Sequence, residues 1–196
     1  MFRQVLARGV HGLLLCHAES PGAVRAFVES CRYPFNNNGV GQGLGEGRRG
    51  FGEQISPASV WGISNEGYFS KADVWPLNPD GELILGLKIE NKRALANAEA
   101  TAKVPGIAIA EWGPGDMGMS MGYPVYRYPY PADLQQARSR VFAACKEAGL
   151  FFLDVVRPER VVDLIEEGVM VFSGGGQSGE GSALIGRAHT GRTMPV

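Results

Sequence analysis

A chain of 196 residues with 44% hydrophobic and 20% charged side chains holds enough apolar material for one sizeable core. Its formal net charge of -1 sets up no field that would draw in nucleic acid or an anionic membrane, so neither is an expected partner. Glycine, 28 of 196 residues, is about twice as frequent as usual but has no three-residue period, which excludes collagen and low complexity and implies many tight turns.

In chain order, "FRQVLARG" reads as a helix closed by Gly9, and "VHGLLLC" as a short strand of the buried type. Arg3 and Arg8 before "GLLLC" faintly echo a signal peptide, but the apolar run is short and is followed by His17 and Glu19. With no membrane-length stretch, the expectation is a soluble protein. Three widely spaced cysteines, Cys16, Cys31 and Cys145, match no metal spacing and fit a reducing cytoplasm. "SPGAVRAFVESCRY" opens a helix with Ser20 as N-cap and Pro21 in its first turn, placing Val24, Phe27, Val28 and Cys31 on one face. Residues 36 to 52 carry alternating glycines and form a long loop.

"SNEGYFSKAD" predicts a short helix, "ELILGLKIE" a strand ending on Glu90, and "NKRALANAEATAKVPG" one helix stopped by Pro105 and Gly106. "IAIAEW" is the next strand. After it, "GPGDMGMSMGYP" reads as a glycine-rich turn. "PADLQQARSRVFAACKEAG" is the clearest amphipathic helix, with Leu134, Ala137, Val141, Ala144 and Cys145 on its apolar stripe. "LFFLDVV", "RPERVVDLIEEG", "VMVFSG" and "SGEGSALIGRAH" continue as strand, helix, strand and helix. Five strands are expected, near residues 11–16, 83–90, 107–112, 150–156 and 169–173. Lacking period-2 patterning and alternating with helices, they indicate an α/β fold whose parallel sheet is covered on both faces, either doubly wound or a (β/α)8 barrel.

In either architecture the working face lies beyond the C-terminal ends of the strands. Here those ends carry His17 and Glu19, Lys88 and Glu90, Glu111 and Asp116, Asp154 and Arg157, and Ser173. Glu90 and Asp116 are the most suggestive pair. Two carboxylates can work as acid and base or hold a hard divalent cation. The plain alternative is that Glu90 caps the following helix and Asp116 is a turn residue. "GEGRRG" at 45 to 50 fits a dinucleotide fingerprint but is not flanked by a strand and a helix, and is set aside.

"GVHGLLLCHAESPGAVRAFVESCRYP", "LKIENKRALANAEATAKVPGI", "GPGDMGMSMGYP" and "ARSRVFAACKEAG" together resemble the HpcH/HpaI aldolase/citrate lyase family of metal-dependent class II pyruvate aldolases. The resemblance implies a TIM-type (β/α)8 barrel, represented here by about five βα units. Residues 1–175 would be its C-terminal portion, and 176–196 a terminal helix and tail. It implies Mg2+ or Mn2+ held by Glu90 and Asp116. The loop of Gly113, Pro114, Gly115 and Asp116 would bind substrate, with the amides of Gly115 and Asp116 clamping the carboxylate of a 2-keto acid. The reaction would be aldol addition or cleavage between pyruvate, through its enolate, and an aldehyde, in a homo-oligomer.

The family's acid/base His and its Arg match nothing here, so the expectation is a barrel lacking N-terminal strands, open at its edges and inactive or barely active alone. His17 stands where the family has an apolar residue and is read first as a hydrogen-bonded structural histidine and second as a candidate acid/base or substrate contact. Lys88 replaces a family Gln and is a candidate Schiff-base nucleophile or, more simply, the ion-pair partner of Glu90. Arg48 and Arg49 are read as solvated loop residues or contacts to a carboxylated substrate. A citrate-lyase-type acyl-CoA lyase and a non-catalytic barrel fragment are the alternatives.

Overall fold

A computed structural model describes residues 1–124 and 128–193, so the last three residues of the expected tail lie outside the described residues. The chain forms two compact units, one ending at Leu150 and the other starting at Phe151. The first holds α1 (Phe2–Leu6), β1 (Gly12–Leu15), α2 (Pro21–Cys31), α3 (Ile55–Trp61), α4 (Asn65–Lys71), β2 (Val74–Trp75), β3 (Leu83–Ile89), α5 (Lys92–Ala96), α6 (Ala98–Ala102), β4 (Ile109–Trp112), α7 (Pro114–Met121) and α8 (Ala132–Ala148). The second holds β5 (Phe151–Val155), α9 (Val161–Glu167), β6 (Val171–Ser173) and α10 (Gly176–Thr190). The helix expected as an appendage from residue 176 packs on α9 within this second unit.

Every described strand pairing is parallel, as the strand-helix alternation requires. In the first unit β3 is the hub: β1 pairs with it through Leu13 opposite Leu85, β2 through Val74 opposite Leu83, and β4 through Lys88 opposite Glu111. In the second unit β5 pairs with β6 through Asp154 opposite Phe172.

Local chemistry explains the helix ends. Ser20 Oγ accepts the Ala23 amide at 3.2 Å, and Pro21 occupies the first turn of α2, where a missing N–H costs nothing. Val24, Phe27, Val28 and Cys31 are all buried on its expected face, as are Leu134, Ala137, Val141, Ala144 and Cys145 on α8. α8 stops at Gly149, whose φ of 71° only glycine adopts without strain.

Five local features differ from expectation, the first being β1, expected as a strand of the buried type but holding no buried residue, with Leu14 42% exposed. The one helix expected in "NKRALANAEATAKVPG" is two helices, because Asn97 turns its side-chain amide to the carbonyls of Glu19 and Arg93 and breaks the regular run. α3 was hidden by Pro57, which sits in its first turn, where proline is tolerated. The glycine-rich "turn" after β4 is helix α7, with Pro114 at its start, Gly122 closing it at φ 100°, and Met117 fully buried beneath it. On β3, burial alternates: Leu83, Leu85, Leu87 and Ile89 are completely buried, while Ile84 is 40% exposed. Each buried side chain contributes about 1.5–3 kcal/mol. The opposite face of β3 holds Ile84, Gly86 and Lys88, and Glu90 follows just past the end of the strand.

Cys31 and Cys145 lie inside this core, and burial pushes both thiols from 9.0 to about 12. Tyr33 rises from 10.0 to about 12, also mainly by burial. Between pH 9 and about 12 the folded chain keeps protons that the unfolded chain has lost, so stability is full below pH 9 and falls as pH rises through that window. The urea midpoint should therefore decline above pH 9, less steeply in Cys145→Ala. A midpoint that stays flat to about pH 11 would contradict this.

Candidate functional site

β3 and β4 end side by side, which brings their C-terminal residues to one place. The register sets Lys88 opposite Glu111 and Ile89 opposite Trp112, so Glu90 adjoins Gly113. Glu90 does not cap the next helix: Asn91 does, its Oδ1 accepting the Ala94 amide at 2.9 Å. Glu90 is instead 1% exposed. Its Oε1 accepts the His17 amide at 3.2 Å. Its Oε2 is buried without a hydrogen bond, and Lys88 Nζ approaches it at 3.1 Å as an ion pair. A carboxylate oxygen so placed is costly unless a cation completes its surroundings.

Gly113 makes this packing possible. A β-carbon there would lie 2.7 Å from Glu90 Oε2 and 2.8 Å from Glu90 Cβ, closer than real contacts allow. As N-cap of α7, Gly113 also offers no side chain to the first-turn amides. Pro114 and Gly115 follow, and Asp116 stands in that first turn, partly buried. Asp116 is thus a helical residue rather than a turn residue. Ser120 Oγ, on the next turn of α7, accepts the Lys92 amide at 3.0 Å and ties α7 to the start of α5.

Lys88 lies between two carboxylates, 3.1 Å from Glu90 Oε2 and 3.9 Å from Glu111 Oε2. Burial pulls its ammonium down, but the pairing with Glu90 and the charges of Glu111 and Cys16 outweigh this and hold it above the ordinary lysine range. His17, exposed at the end of β1, has a φ of 50°, a left-handed conformation uncommon outside glycine. That conformation accompanies the hydrogen bond from its amide to Glu90. The Asn91 cap bond fixes which way its amide faces, so Asn91 Nδ2 donates to His17 Nδ1 at 2.8 Å and to Glu19 Oε1 at 2.9 Å. An Nδ1 that accepts leaves the ring proton on Nε2.

Sequence reasoning missed Asn91 and the cradle role of Gly113. Asn before "KRALA" is an ordinary cap signal and could have been read. The close approach of Gly113 to Glu90 has no local signature.

The arginines at 48 and 49 have diverged in role. Arg48 is exposed and pairs with the buried Glu29. Arg49 is 2% exposed, neither solvated nor open to a substrate. Its Nη2 donates to Tyr68 Oη at 2.9 Å, and its guanidinium lies 4.2 Å from the Tyr33 ring centroid. The loop before it is held down by Glu29, whose Oε1 accepts the Gly45 amide at 2.8 Å.

Among the described residues no cluster of three or more His, Cys, Asp or Glu side chains could hold a metal ion. Two carboxylates are nevertheless a fitting protein contribution for Mg2+, which keeps several waters and takes further oxygens from its substrate. Glu90 Oε2, a buried anionic oxygen that already draws a cation, and the side-chain-free backbone of Gly113 beside it fit such an ion. No described helix is long and apolar enough to cross a membrane.

A family model for HpcH/HpaI aldolase/citrate lyase matches residues 1–180. The chain is 30% identical over 162 residues to a 2-keto-3-deoxy-L-rhamnonate aldolase of Klebsiella pneumoniae subsp. pneumoniae, covering 82% of this chain and 54% of that protein. It is 30% identical over 167 residues to a hydroxypyruvate/pyruvate aldolase of Cupriavidus necator, covering 84% and 55%. It thus spans about half the length of the curated relatives it matches. Among solved structures, an HpcH/HpaI aldolase/citrate lyase family protein from Burkholderia cenocepacia J2315 shares the fold at a TM-score of 0.72 and 21% identity, over 97% of this chain and 66% of that one.

Proposed function

The chain belongs to the HpcH/HpaI aldolase/citrate lyase family, and from that premise we propose that its site holds a divalent cation, Mg2+ or Mn2+, on Glu90 and Asp116 and serves carbon–carbon lyase chemistry between pyruvate and an aldehyde. The observation that carries this reading is the buried Glu90 carboxylate, whose Oε2 already attracts a cation, Lys88 Nζ at 3.1 Å, and packs against a glycine that brings the start of α7 to it.

A bound divalent cation would supply Lewis acidity, polarising the keto carbonyl and stabilising the negative charge that develops on its oxygen. The chain's own residues do the rest. Glu90 and Asp116 hold the ion, and the uncapped amides of Gly115 and Asp116 receive the keto-acid carboxylate at the start of α7. His17, with its ring held by Asn91, offers Nε2–H as a donor to a substrate oxygen. In this reading Lys88 is a charged partner and not a Schiff-base nucleophile, since an amine held protonated between two carboxylates is a poor nucleophile. Two relatives are keto-acid aldolases by name, which favours a keto acid over an acyl-CoA thioester. Self-association belongs to the same proposal, supported by exposed Phe51, Ile55 and Val60 on and beside α3.

Calorimetric titration with pyruvate tests the reading. Pyruvate should bind in the presence of Mn2+ and not after EDTA, and borohydride should trap no pyruvate on Lys88. Pyruvate binding that ignores EDTA, or a trapped adduct, would overturn it.

A further inference from the structure

The oxygen of Glu90 that lacks a hydrogen bond already has a positive charge beside it, and that charge belongs to the chain. Lys88 is on β3 and Glu90 follows directly after its last residue, two positions on, with Lys88 Nζ 3.1 Å from Glu90 Oε2. Directly across the ladder, Glu111 sits opposite Lys88 and presents a second carboxylate oxygen 3.9 Å from the same Nζ. The lysine side chain is 24% exposed, against 1% for Glu90 and 14% for Glu111. A flexible stem with that much freedom can swing between the two acids without disturbing the core.

From this geometry we propose that Lys88 is a resident cation of the site, which a divalent ion must displace from Glu90 and which Glu111 receives. The proposal rests on the reading of Glu90 as a metal ligand and adds a control of metal affinity to it. An ammonium 3.1 Å from the oxygen that a divalent ion would ligate opposes that ion, because like charges a few ångströms apart repel strongly where water is scarce. Metal binding at Glu90 is therefore an exchange of cations. Lys88 sets the threshold concentration at which the ion enters. Glu111 lowers that threshold by giving the displaced ammonium a second partner on the neighbouring strand, so it need not be left unpaired beside the ion.

The experiment is a Mn2+ titration, followed by the electron paramagnetic resonance signal of free Mn2+, on the chain and on Lys88→Gln, Glu111→Gln, the double variant and Glu90→Gln, with circular dichroism confirming that each is folded. Lys88→Gln should bind Mn2+ about tenfold more tightly, and Glu111→Gln several-fold more weakly. In the Lys88→Gln background the Glu111 substitution should have no effect, because no ammonium remains to be received. Unchanged or weaker Mn2+ binding in Lys88→Gln, with binding lost in Glu90→Gln, would overturn the inference and leave the metal site standing. An equal weakening by Glu111→Gln in both backgrounds would make Glu111 a ligand and also overturn it. Absence of Mn2+ binding in both the unaltered chain and Lys88→Gln would remove the metal reading itself.

Discussion

Glu90→Gln should abolish divalent-ion binding and reduce any lyase turnover more than about a hundredfold, since loss of an outer-shell partner alone costs 10- to 100-fold. Glutamine keeps the shape of the side chain and an oxygen to accept the His17 amide, now at 3.2 Å. What it removes is the negative charge on a group that is 1% exposed and has no hydrogen bond to its second oxygen. Lys88, which is partly solvated and still has Glu111 at 3.9 Å, is not left isolated, so the fold should survive. Gly113→Ala makes a complementary probe that leaves every candidate ligand in place. Its β-carbon would meet Glu90 Cβ at 2.8 Å, next to the backbone, where no rotamer change gives relief. Mn2+ affinity should fall in this variant as well. Binding of Mn2+ by Glu90→Gln at the affinity of the unaltered chain would remove Glu90 from the site.

Asp73→Ala should destabilise the chain by about 3–5 kcal/mol, the usual cost of stripping one partner from a buried ion pair. Asp73 and Arg32 are each 1% exposed and joined twice, Nε to Oδ1 at 2.6 Å and Nη2 to Oδ2 at 3.0 Å. The pair also organises the chain around it. Arg32 Nη1 donates to the Asn38 carbonyl at 2.8 Å, and Asp73 Oδ2 accepts from Asn78 Nδ2 at 3.2 Å, so two loops lose an anchor together. Set against a typical stability of about 5–15 kcal/mol, the loss is a large fraction of the whole. Replacing both partners, as in Arg32→Met with Asp73→Leu, should recover much of it, because no charge is then left buried and unpaired. Urea unfolding of the three proteins checks this. A single variant within about 1 kcal/mol of the unaltered chain would contradict it.

Legibility was high wherever one residue type and its near neighbours decide the outcome. The Ser20 cap, Pro21 in the first turn, the stripes on α2 and α8 and the stop at Gly149 all follow from spacings of three or four residues and from single dihedrals. The five main strands lie where apolar runs were read, and their parallel pairing follows from the helices between them. Misreadings came where packing overrode local signals. Glycines at 113, 115 and 118 suggested a turn, yet Pro114 in the first turn and the buried Met117 make that segment a helix. Asn97 split a run of good helix formers because its amide found long-range and local carbonyls.

By itself the sequence determined that strands alternate with helices and that acids stand at strand ends, and it placed Glu90 and Asp116 in a pattern shared with one family. Only the tertiary structure decided that Glu90 is buried against Gly113, that Lys88 lies between Glu90 and Glu111, that His17 is held by Asn91, and that Arg49 is stacked on Tyr33 instead of reaching solvent. The physical reason is range. Caps and amphipathic stripes are energies of residues within one or two turns. The surroundings of a carboxylate depend on strand register and on which atoms packing leaves without partners, and for Glu90 those atoms come from positions as far away in the chain as His17 and Gly113.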